Sequence, residues 1–283
     1  MRLILLDRPT EKRLHFHPLA LSRPIWELRC GMTTLAEKLV TLLRPQEVAC
    51  FVPPYMAGAY AATTAWPVNE LARLAGDDLL VVNPRAKASG LADVTRPGPS
   101  MAWYDADGEL LCARIARSDL PQLRVESIEA FIESIAAAVP AAAGLLPAWN
   151  YIWDLVLESP AQLTIDFHAA GRKGIEGRVE EPAAFRGSPG DLYIAPGVTV
   201  HPLVVIDCEH GPVYIDEGAQ IHPFTRIEGP CYIGRHAILL GAKCREGNSI
   251  GPMCRVGGEI EESIIHGYSN KYHDGFLGHA YVG

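Results

Sequence analysis

The feature that most constrains the fold is an aliphatic repeat of six residues in the C-terminal third of the chain. The repeat comprises Ile194, Val200 and Ile206 and, after an insertion of three residues, Ile215, Ile221, Ile227, Ile233 and Leu239. Small or turn-forming residues lie between these positions, where short strands must bend. The pattern predicts a parallel β-helix built from hexapeptides, in which three short strands complete one coil of about 18 residues and the inward aliphatic side chains stack between coils.

The N-terminal part of the chain carries a different pattern, in which short β-rich runs alternate with helical stretches. Strands are predicted over residues 2–6, 48–52 and 79–83, and a hairpin over residues 101–104 and 110–115 around the turn Asp107-Gly108. This alternation predicts an α/β domain with a mostly parallel sheet over residues 1–125.

The middle of the chain combines two predicted helices with a segment rich in glycine and proline. An apolar stripe at helical spacing predicts a helix over residues 126–139, and a second helix is expected over residues 149–158, ending before Pro160. Residues 171–190 then contain several glycines and prolines. We therefore expect residues 126–190 to form a helical segment and a linker, and residues 191–283 to form the β-helix.

Composition excludes several classes of protein. The formal net charge is -8, and no basic run of the kind that neutralises phosphate backbones occurs, so nucleic acid is not an expected partner. The longer uncharged windows are interrupted by proline, and the apolar start is interrupted at Asp7, so neither a membrane span nor a signal for export is predicted. Seven cysteines without a Cys-x-x-Cys pair fit reduced thiols in a cytoplasmic protein.

The last fifteen residues, 269–283, hold most of the candidate chemistry. A neutral imidazole can take a proton from an attacking amine near pH 7, which makes His279 and His273 candidate catalytic bases. Lys271 can neutralise a phosphate, and Asn270 and Tyr281 can bind a hydroxyl or carbonyl group of a substrate.

Several short motifs carry a resemblance to a known family. They include Ser22-Arg23-Pro24, Glu27-Leu28-Arg29-x-Gly31, Val256-Gly257-Gly258-Glu259 and the final block 269–283. Over essentially its whole length the chain resembles the sugar-nucleotide synthesis proteins that join a nucleotidyltransferase-type α/β domain to a left-handed β-helix acyltransferase domain, as in the bifunctional N-acetylglucosamine-1-phosphate uridyltransferase/glucosamine-1-phosphate N-acetyltransferase. The resemblance is closest to a divergent branch of sugar nucleotidyltransferases.

The resemblance implies a transferase that acts on a hexosamine 1-phosphate, with acetyl-CoA and with UTP or another nucleoside triphosphate and Mg²⁺ as cosubstrates. It implies that His279 removes a proton from the sugar amine, and that the protein is a homotrimer. Members typically hold the triphosphate with a glycine-rich loop, but residues 6–13 contain no glycine. We therefore expect Arg23, Arg29 and Lys38 to be the phosphate contacts.

Other interpretations remain open at this point. The missing glycine-rich loop favours a non-catalytic protein that binds a sugar nucleotide or assembles with partners. Asp105 and Asp107 could hold Mg²⁺, although Asp-Ala-Asp-Gly is more often a turn, so no metal site is predicted. A zinc hydratase on the same β-helix is disfavoured, because the spacing of its four candidate ligands does not match an 18-residue coil; these are His201, His210, His222 and His236. The chain ends at Gly283 within a repeat, so the acyl-donor site is expected to be incomplete.

Overall fold

The structure of the chain is a computed structural model that describes residues 1–91, 94, 96 and 98–283. It divides into two compact units, each described separately below. The α/β unit comprises Met1–Leu28 and Leu35–Tyr151, and the solenoid unit comprises Arg29–Thr34 and Ile152–Gly283. None of the helices in the described part of the chain is long and apolar enough to cross a membrane.

The α/β unit contains four helices and a five-stranded sheet. The helices are α1 (Glu11–Leu14), α2 (Leu35–Leu43), α3 (Pro54–Ala61) and α4 (Ile128–Ala138). The strands of its sheet, numbered along the whole chain, are β1 (Arg2–Leu6), β4 (Glu47–Phe51), β5 (Leu79–Val82), β6 (Met101–Tyr104) and β7 (Leu110–Ile115). The two intervening strands, β2 (Arg29–Cys30) and β3 (Thr33–Thr34), form a hairpin that belongs to the solenoid unit. The predicted strands and hairpin are thus confirmed to within one residue.

The sheet has the order β4-β1-β5-β7-β6, and its first three strands are parallel. Strand β7 runs antiparallel to β5, and β6 runs antiparallel to β7. Alternate residues of β1 point to opposite faces: Leu3 and Leu5 join one buried cluster with residues of α2 and α3, whereas Ile4 and Leu6 join another with residues of α4. Both faces of the sheet are covered, in agreement with the apolar runs at residues 3–6 of β1 and 79–82 of β5.

The solenoid has about six coils, and every strand pairing in it is parallel, as in a left-handed β-helix. Its first face contains β8 (Gly174–Ile175), β11 (Leu192–Ile194), β14 (Val213–Ile215), β17 (Cys231–Ile233), β19 (Asn248–Ile250), β21 (Ile264–Ile265) and β24 (Tyr281–Val282). Its second face contains β9 (Arg178–Val179), β12 (Thr199–Val200), β15 (Gln220–Ile221), β18 (Ile238–Cys244), β20 (Arg255–Glu261) and β22 (Asn270–Lys271). Its third face contains β10 (Ala184–Gly187), β13 (Val205–Cys208), β16 (Arg226–Glu228) and β23 (Phe276–Gly278), together with the later parts of β18 and β20.

The predicted aliphatic ladder forms the core of the solenoid. Along the first face Ile194, Ile215, Ile233, Ile250 and Ile265 are in register in consecutive coils, and all are fully buried. The coil from Ile233 to Ile250 spans 17 residues rather than 18, so the six-residue period shifts by one residue after Leu239. The solenoid prediction is therefore confirmed.

The solenoid unit begins earlier than the predicted boundary at residue 190. The glycine- and proline-rich segment expected to be a linker contains β8, β9 and β10, which pair with β11, β12 and β13 as the first coil. Strands β8 and β9 have only two residues each, so the segment has too few aliphatic positions to show the six-residue period.

Helix α5 (Ile152–Ala170) also belongs to this unit, and it runs through Pro160 instead of ending before it. Proline in a helix interior costs about 3 kcal/mol. That cost is offset because Leu155, Ser159, Leu163 and Phe167, at intervals of four residues, form a buried stripe along the helix.

The hairpin β2-β3 packs against α5 and the first face of the solenoid. Its turn residue Gly31 has a left-handed φ of 72°, and a Cβ there would lie 2.5 Å from Oδ2 of Asp166. The Gly31 amide donates to Oγ of Ser159, and its carbonyl accepts from Oγ of Ser249. The glycine of the predicted Arg29-x-Gly31 motif is thus required by the backbone conformation and by close packing.

Candidate functional site

The carboxyl ends of the parallel strands in the α/β unit are the first place to look for a site. From β1 the chain crosses to β4 on one side and then to β5 on the other, so the switch point of the sheet lies between β1 and β5. Ligands of open α/β sheets bind in the crevice at such a point. Here Asp7 follows β1, and Asn83 and Arg85 follow β5.

Arg85 is the centre of an ion network at this edge. Its side chain is 2% exposed, and its Nη1 donates to Oδ2 of Asp105 at 3.1 Å and to Oε2 of Glu109 at 2.6 Å. Its Nε donates to the carbonyl of Trp149, and its Nη2 donates to Oδ1 of Asn150. Four of its five N–H groups are therefore bound within the chain, which makes Arg85 a positioning group with little capacity left for a ligand.

Asp105 anchors the turn of the β6-β7 hairpin. Its Oδ1 accepts from the amides of Asp107 and Glu109, both at 3.0 Å, and its Oδ2 also accepts from Nζ of Lys12. Burial alone would raise the pKa of Asp105, but the hydrogen bonds from Lys12, the Glu109 amide and Arg85 outweigh it and lower the pKa to about 2. The turn interpretation of Asp-Ala-Asp-Gly is confirmed, and the described residues contain no group of three or more side chains able to hold a metal ion.

A cavity of about 410 Å³, here called the polar cavity, lies beside this turn. Its walls include Lys12, His15, Asp105, Asp107, Asn150 and Tyr151. Lys12 binds Oδ2 of Asp107 at 2.7 Å in addition to Asp105. Carboxylate, amide and imidazole acceptors beside an aromatic ring can bind a ligand with many hydroxyl groups.

His15 has a fixed orientation in the polar cavity. Its Nδ1 lies 3.0 Å from the carbonyl oxygen of Asn150, and its ring stacks on Tyr151 with 4.5 Å between centroids and 17° between planes. Because a carbonyl oxygen only accepts, Nδ1 carries the proton, and Nε2 of the neutral ring is left as an acceptor.

A second cavity of about 260 Å³, here called the apolar cavity, lies at the ends of β1 and β4. Its walls include residues 6–9, residues 51–54, Asn69 and Leu71. Asn69 closes one wall by accepting from the amide of Val52 and donating to its carbonyl. The segment from β1 into α1 therefore lines both cavities, through residues 6–9 in one and Lys12 and His15 in the other.

The same segment carries one buried ion pair and one free cation. Asp7 accepts from Nε of Arg13 at 2.9 Å and from the amide of Ile25. Burial raises the pKa of Asp7 to about 6, although Arg13 and the Ile25 amide act in the opposite direction. Arg8, in the wall of the apolar cavity, makes no side-chain hydrogen bond or ion pair with the residues that the structure describes.

The structure distributes the predicted phosphate contacts differently from the expectation. Arg23 and Lys38 are half-buried in the α/β unit and line neither of its two cavities among the residues described. Arg29 lies in the hairpin of the solenoid unit, where its Nη2 donates to the carbonyl of Met32 and its guanidinium stacks over Tyr232. Arg29 therefore belongs to a different unit from Arg23 and Lys38.

The candidates in the last coil have separate roles in the structure. The three N–H groups of Lys271 donate to the carbonyls of Gly257, His273 and Gly275 at 2.7–2.9 Å, which clamps the bend after β22. Asn270 lies in β22 opposite Arg255. The hydroxyl of Tyr281 accepts from the amide of Arg29 at 2.6 Å. Lys271 therefore has no N–H left for a phosphate.

The two histidines of this coil are both exposed, but only one of them pairs with a carboxylate. Nδ1 of His279 lies 3.1 Å from Oε2 of Glu262, and its side chain is 61% exposed. His273 makes an edge contact with the ring of Tyr272. A carboxylate on Nδ1 leaves Nε2 of a neutral imidazole as a proton acceptor, so His279 has the better arrangement for a base.

Sequence reasoning missed three residues that build the network, namely Lys12, Arg85 and Glu109. The signal available was position, because Asp7-Arg8 directly follows the first predicted strand and Arg85 lies just after the third. Polar residues at the carboxyl ends of neighbouring parallel strands meet at one edge of the sheet.

Comparison with known proteins identifies the family of the chain. A family model described as sugar nucleotidyl transferase matches residues 3–173, from β1 to the residues just after α5. No curated protein matches the chain. Because the family model covers more than half of the 283 residues, the chain belongs to the sugar nucleotidyl transferase family.

Proposed function

We propose that the α/β unit transfers a nucleotidyl group from UTP or another nucleoside triphosphate to a hexosamine 1-phosphate, as a step of sugar-nucleotide synthesis. The observation that carries the proposal is the pair of cavities lined by one segment, residues 6–15, which follows the carboxyl end of the central strand β1. The apolar cavity has the character of a nucleobase site, and the polar cavity has that of a sugar site. Arg8 and Lys12 would then lie along the phosphates.

Nucleotidyl transfer requires no covalent bond between the substrates and a side chain of the protein. A phosphate oxygen of the sugar 1-phosphate attacks the α-phosphorus of the nucleotide, a new P–O bond forms, the bond to the bridging oxygen breaks, and pyrophosphate leaves. A sugar phosphate with a second pKa of about 6 is already mostly dianionic at pH 7, so no general base is required. The chain has to align the two reactants and stabilise charge, and the described residues offer no metal-binding group through which to derive a step.

The test is product formation by the whole chain. Incubation with glucosamine 1-phosphate and each of the common nucleoside triphosphates should release pyrophosphate and form a sugar nucleotide. If the chain binds a sugar nucleotide but forms no product with any triphosphate, the non-catalytic alternative is correct. The absence of glycine from residues 6–13 is the observation that favours that alternative.

His15→Phe tests the assignment of the sugar to the polar cavity. Phenylalanine can keep the stack on Tyr151 but removes the acceptor, so the KM for the sugar phosphate should rise about tenfold, as expected for a lost hydrogen bond. The KM for the nucleotide should not change. The matched control is His210→Phe at an exposed histidine of the solenoid unit. An equal rise of both KM values, or no rise, would place the sugar elsewhere.

A second candidate function, acyl transfer from acetyl-CoA by the solenoid unit, rests on the pair of His279 and Glu262. In this reaction the sugar amine attacks the thioester carbonyl, the C–S bond breaks, and His279 passes the amine proton to the leaving thiolate. The resemblance further implies a homotrimer with the donor site between neighbours, and sedimentation of the purified chain tests that state.

His279→Gln should lower any acetylation of glucosamine 1-phosphate about a hundredfold, because a general base typically contributes a factor of that order. His273→Gln, in the same coil but without a carboxylate partner among the described residues, is the matched control and should retain most of the rate. Equal loss in both variants would remove the preference for His279, and an unimpaired His279→Gln would remove it as the base.

A further inference from the structure

The two carboxylates that hold Arg85 accept most of their hydrogen bonds from groups of the chain itself. Asp105 accepts four hydrogen bonds, two on each oxygen. Glu109 accepts on Oε1 from Thr10 and Asn83, and on Oε2 from Arg85. A divalent cation needs oxygen lone pairs that are free of other donors. Asp105 offers none, and Glu109 keeps one lone pair, on Oε2 beside the Arg85 guanidinium.

Asp7, a buried carboxylate at the end of β1, accepts one hydrogen bond on each oxygen and lies in an ion pair with Arg13. Its Oδ1 accepts from Arg13, and its Oδ2 accepts from the Ile25 amide. Of the two carboxylates that line the polar cavity, Asp107 is the one open to solvent, with a side chain 76% exposed, and it pairs with Lys12. A single exposed carboxylate does not make a specific divalent-cation site.

A metal could enter at Asp105 only by displacing Lys12 or Arg85. Displacement of Arg85 would leave a guanidinium that is 2% exposed without one of its two carboxylates, which is an unfavourable state for a buried charge. Lys12 differs from Arg85 because its side chain is 22% exposed and only two of its three N–H groups are bound. Its third N–H is available to an oxygen of a ligand in the polar cavity.

We propose that this site binds its phosphate-bearing ligand without a divalent cation, and that Lys12 supplies the positive charge that Mg²⁺ would otherwise supply. Asp105, which is itself bound by Arg85, holds the Lys12 ammonium in place as a fixed point charge beside the ligand. The nature of the ligand rests on the proposed function, but the absence of a metal requirement for binding does not depend on turnover.

The test uses calorimetric titration of the whole chain with UDP-N-acetylglucosamine, in buffers with Mg²⁺ and with EDTA. We expect the two dissociation constants to agree within about twofold, and Lys12→Gln to weaken binding at least about tenfold in both buffers. Lys12→Arg should restore most of the affinity. Arg117→Gln, which removes an exposed cation outside both cavities, is the control and should bind like the parent chain.

Two further measurements keep the outcomes distinct. Thermal unfolding of Lys12→Gln should match that of the parent chain, since a change in fold would also weaken binding. Mn²⁺ should not broaden the NMR signals of the 105–109 turn at concentrations near that of the protein. A tenfold loss of affinity in EDTA, broadening of that turn, an unaffected Lys12→Gln, or no binding in either buffer would each overturn the proposal.

The same data separate this inference from the proposed function. Binding that is equal in both buffers, combined with no product from any triphosphate, would refute nucleotidyl transfer and support the inference. Product formation with binding that is lost in EDTA would support nucleotidyl transfer and overturn the inference.

Discussion

Arg85→Met should destabilise the α/β unit by about 4 kcal/mol at pH 7, the cost expected when one partner of a buried ion pair is removed and the other is left. Methionine keeps much of the buried volume, so the loss reports on charge and hydrogen bonds rather than on packing. Asp105 and Glu109 would remain at the ends of the hairpin, with their lone pairs turned towards an apolar side chain. The measurement is native-state hydrogen exchange of amides in β1 and β5.

The solenoid unit is an internal reference for this experiment, because amides of β17 should exchange as in the parent chain. Arg117→Met, at an exposed position, is the matched control and should change stability by less than about 0.5 kcal/mol. A cost for Arg85→Met below about 1 kcal/mol would show that the network is not a buried unit, and the inference about Lys12 would then lose its support.

The loss of stability caused by Arg85→Met should also depend on pH, and the pKa shift of Asp105 sets the direction of that dependence. The pKa of this carboxyl falls from its ordinary 3.8 to about 2 in the folded chain, because the Lys12, Glu109 and Arg85 hydrogen bonds outweigh burial. A depressed pKa contributes stability that is present above pH 4 and is lost as the pH falls towards 2. The difference between parent and variant should therefore be largest at neutral pH and should shrink in acid.

The sequence predicted those structural elements whose determining residues lie within one short segment. The solenoid core was predictable because the same side-chain position recurs every six residues, and Ile194 and Ile215 fall exactly one coil apart despite the insertion. The β6-β7 hairpin was predictable because Asp107-Gly108 specifies its turn locally. In both cases the residues that determine the element lie within the element itself.

The polar network around Arg85 could not be predicted from any one segment. Its members come from α1, from the end of β5 and from the hairpin turn, and only the order β1-β5-β7 brings them together. The role of Lys271 was missed for a related reason, since its acceptors are backbone carbonyls that exist only once the last coil has formed. Helix α5 continued through Pro160 because burial of its stripe outweighed a local preference.

Ile233→Ala should destabilise the solenoid unit by about 3–4 kcal/mol, the range for deleting most of a buried aliphatic side chain when the cavity cannot collapse. Ile233 is 0% exposed and lies in register between Ile215 and Ile250, whose backbones are held by the parallel ladder. Neighbouring coils therefore cannot move inwards to fill the space. Ile165→Ala on α5, where the side chain is 56% exposed, is the matched control and should cost less than about 0.5 kcal/mol.

The loss should spread along the solenoid in both directions, because each coil contacts only its neighbours and stability is close to a sum of nearest-neighbour terms. Amides of β14 and β19, on either side of Ile233, should lose protection together in hydrogen exchange, while those of β1 keep theirs. Protection lost only within β17, or a cost below about 1 kcal/mol, would mean that the isoleucine ladder is not what couples the coils. Because β24 is joined to β17 through β19 and β21, weakened coupling at Ile233 should also reduce the order of the coil that carries His279.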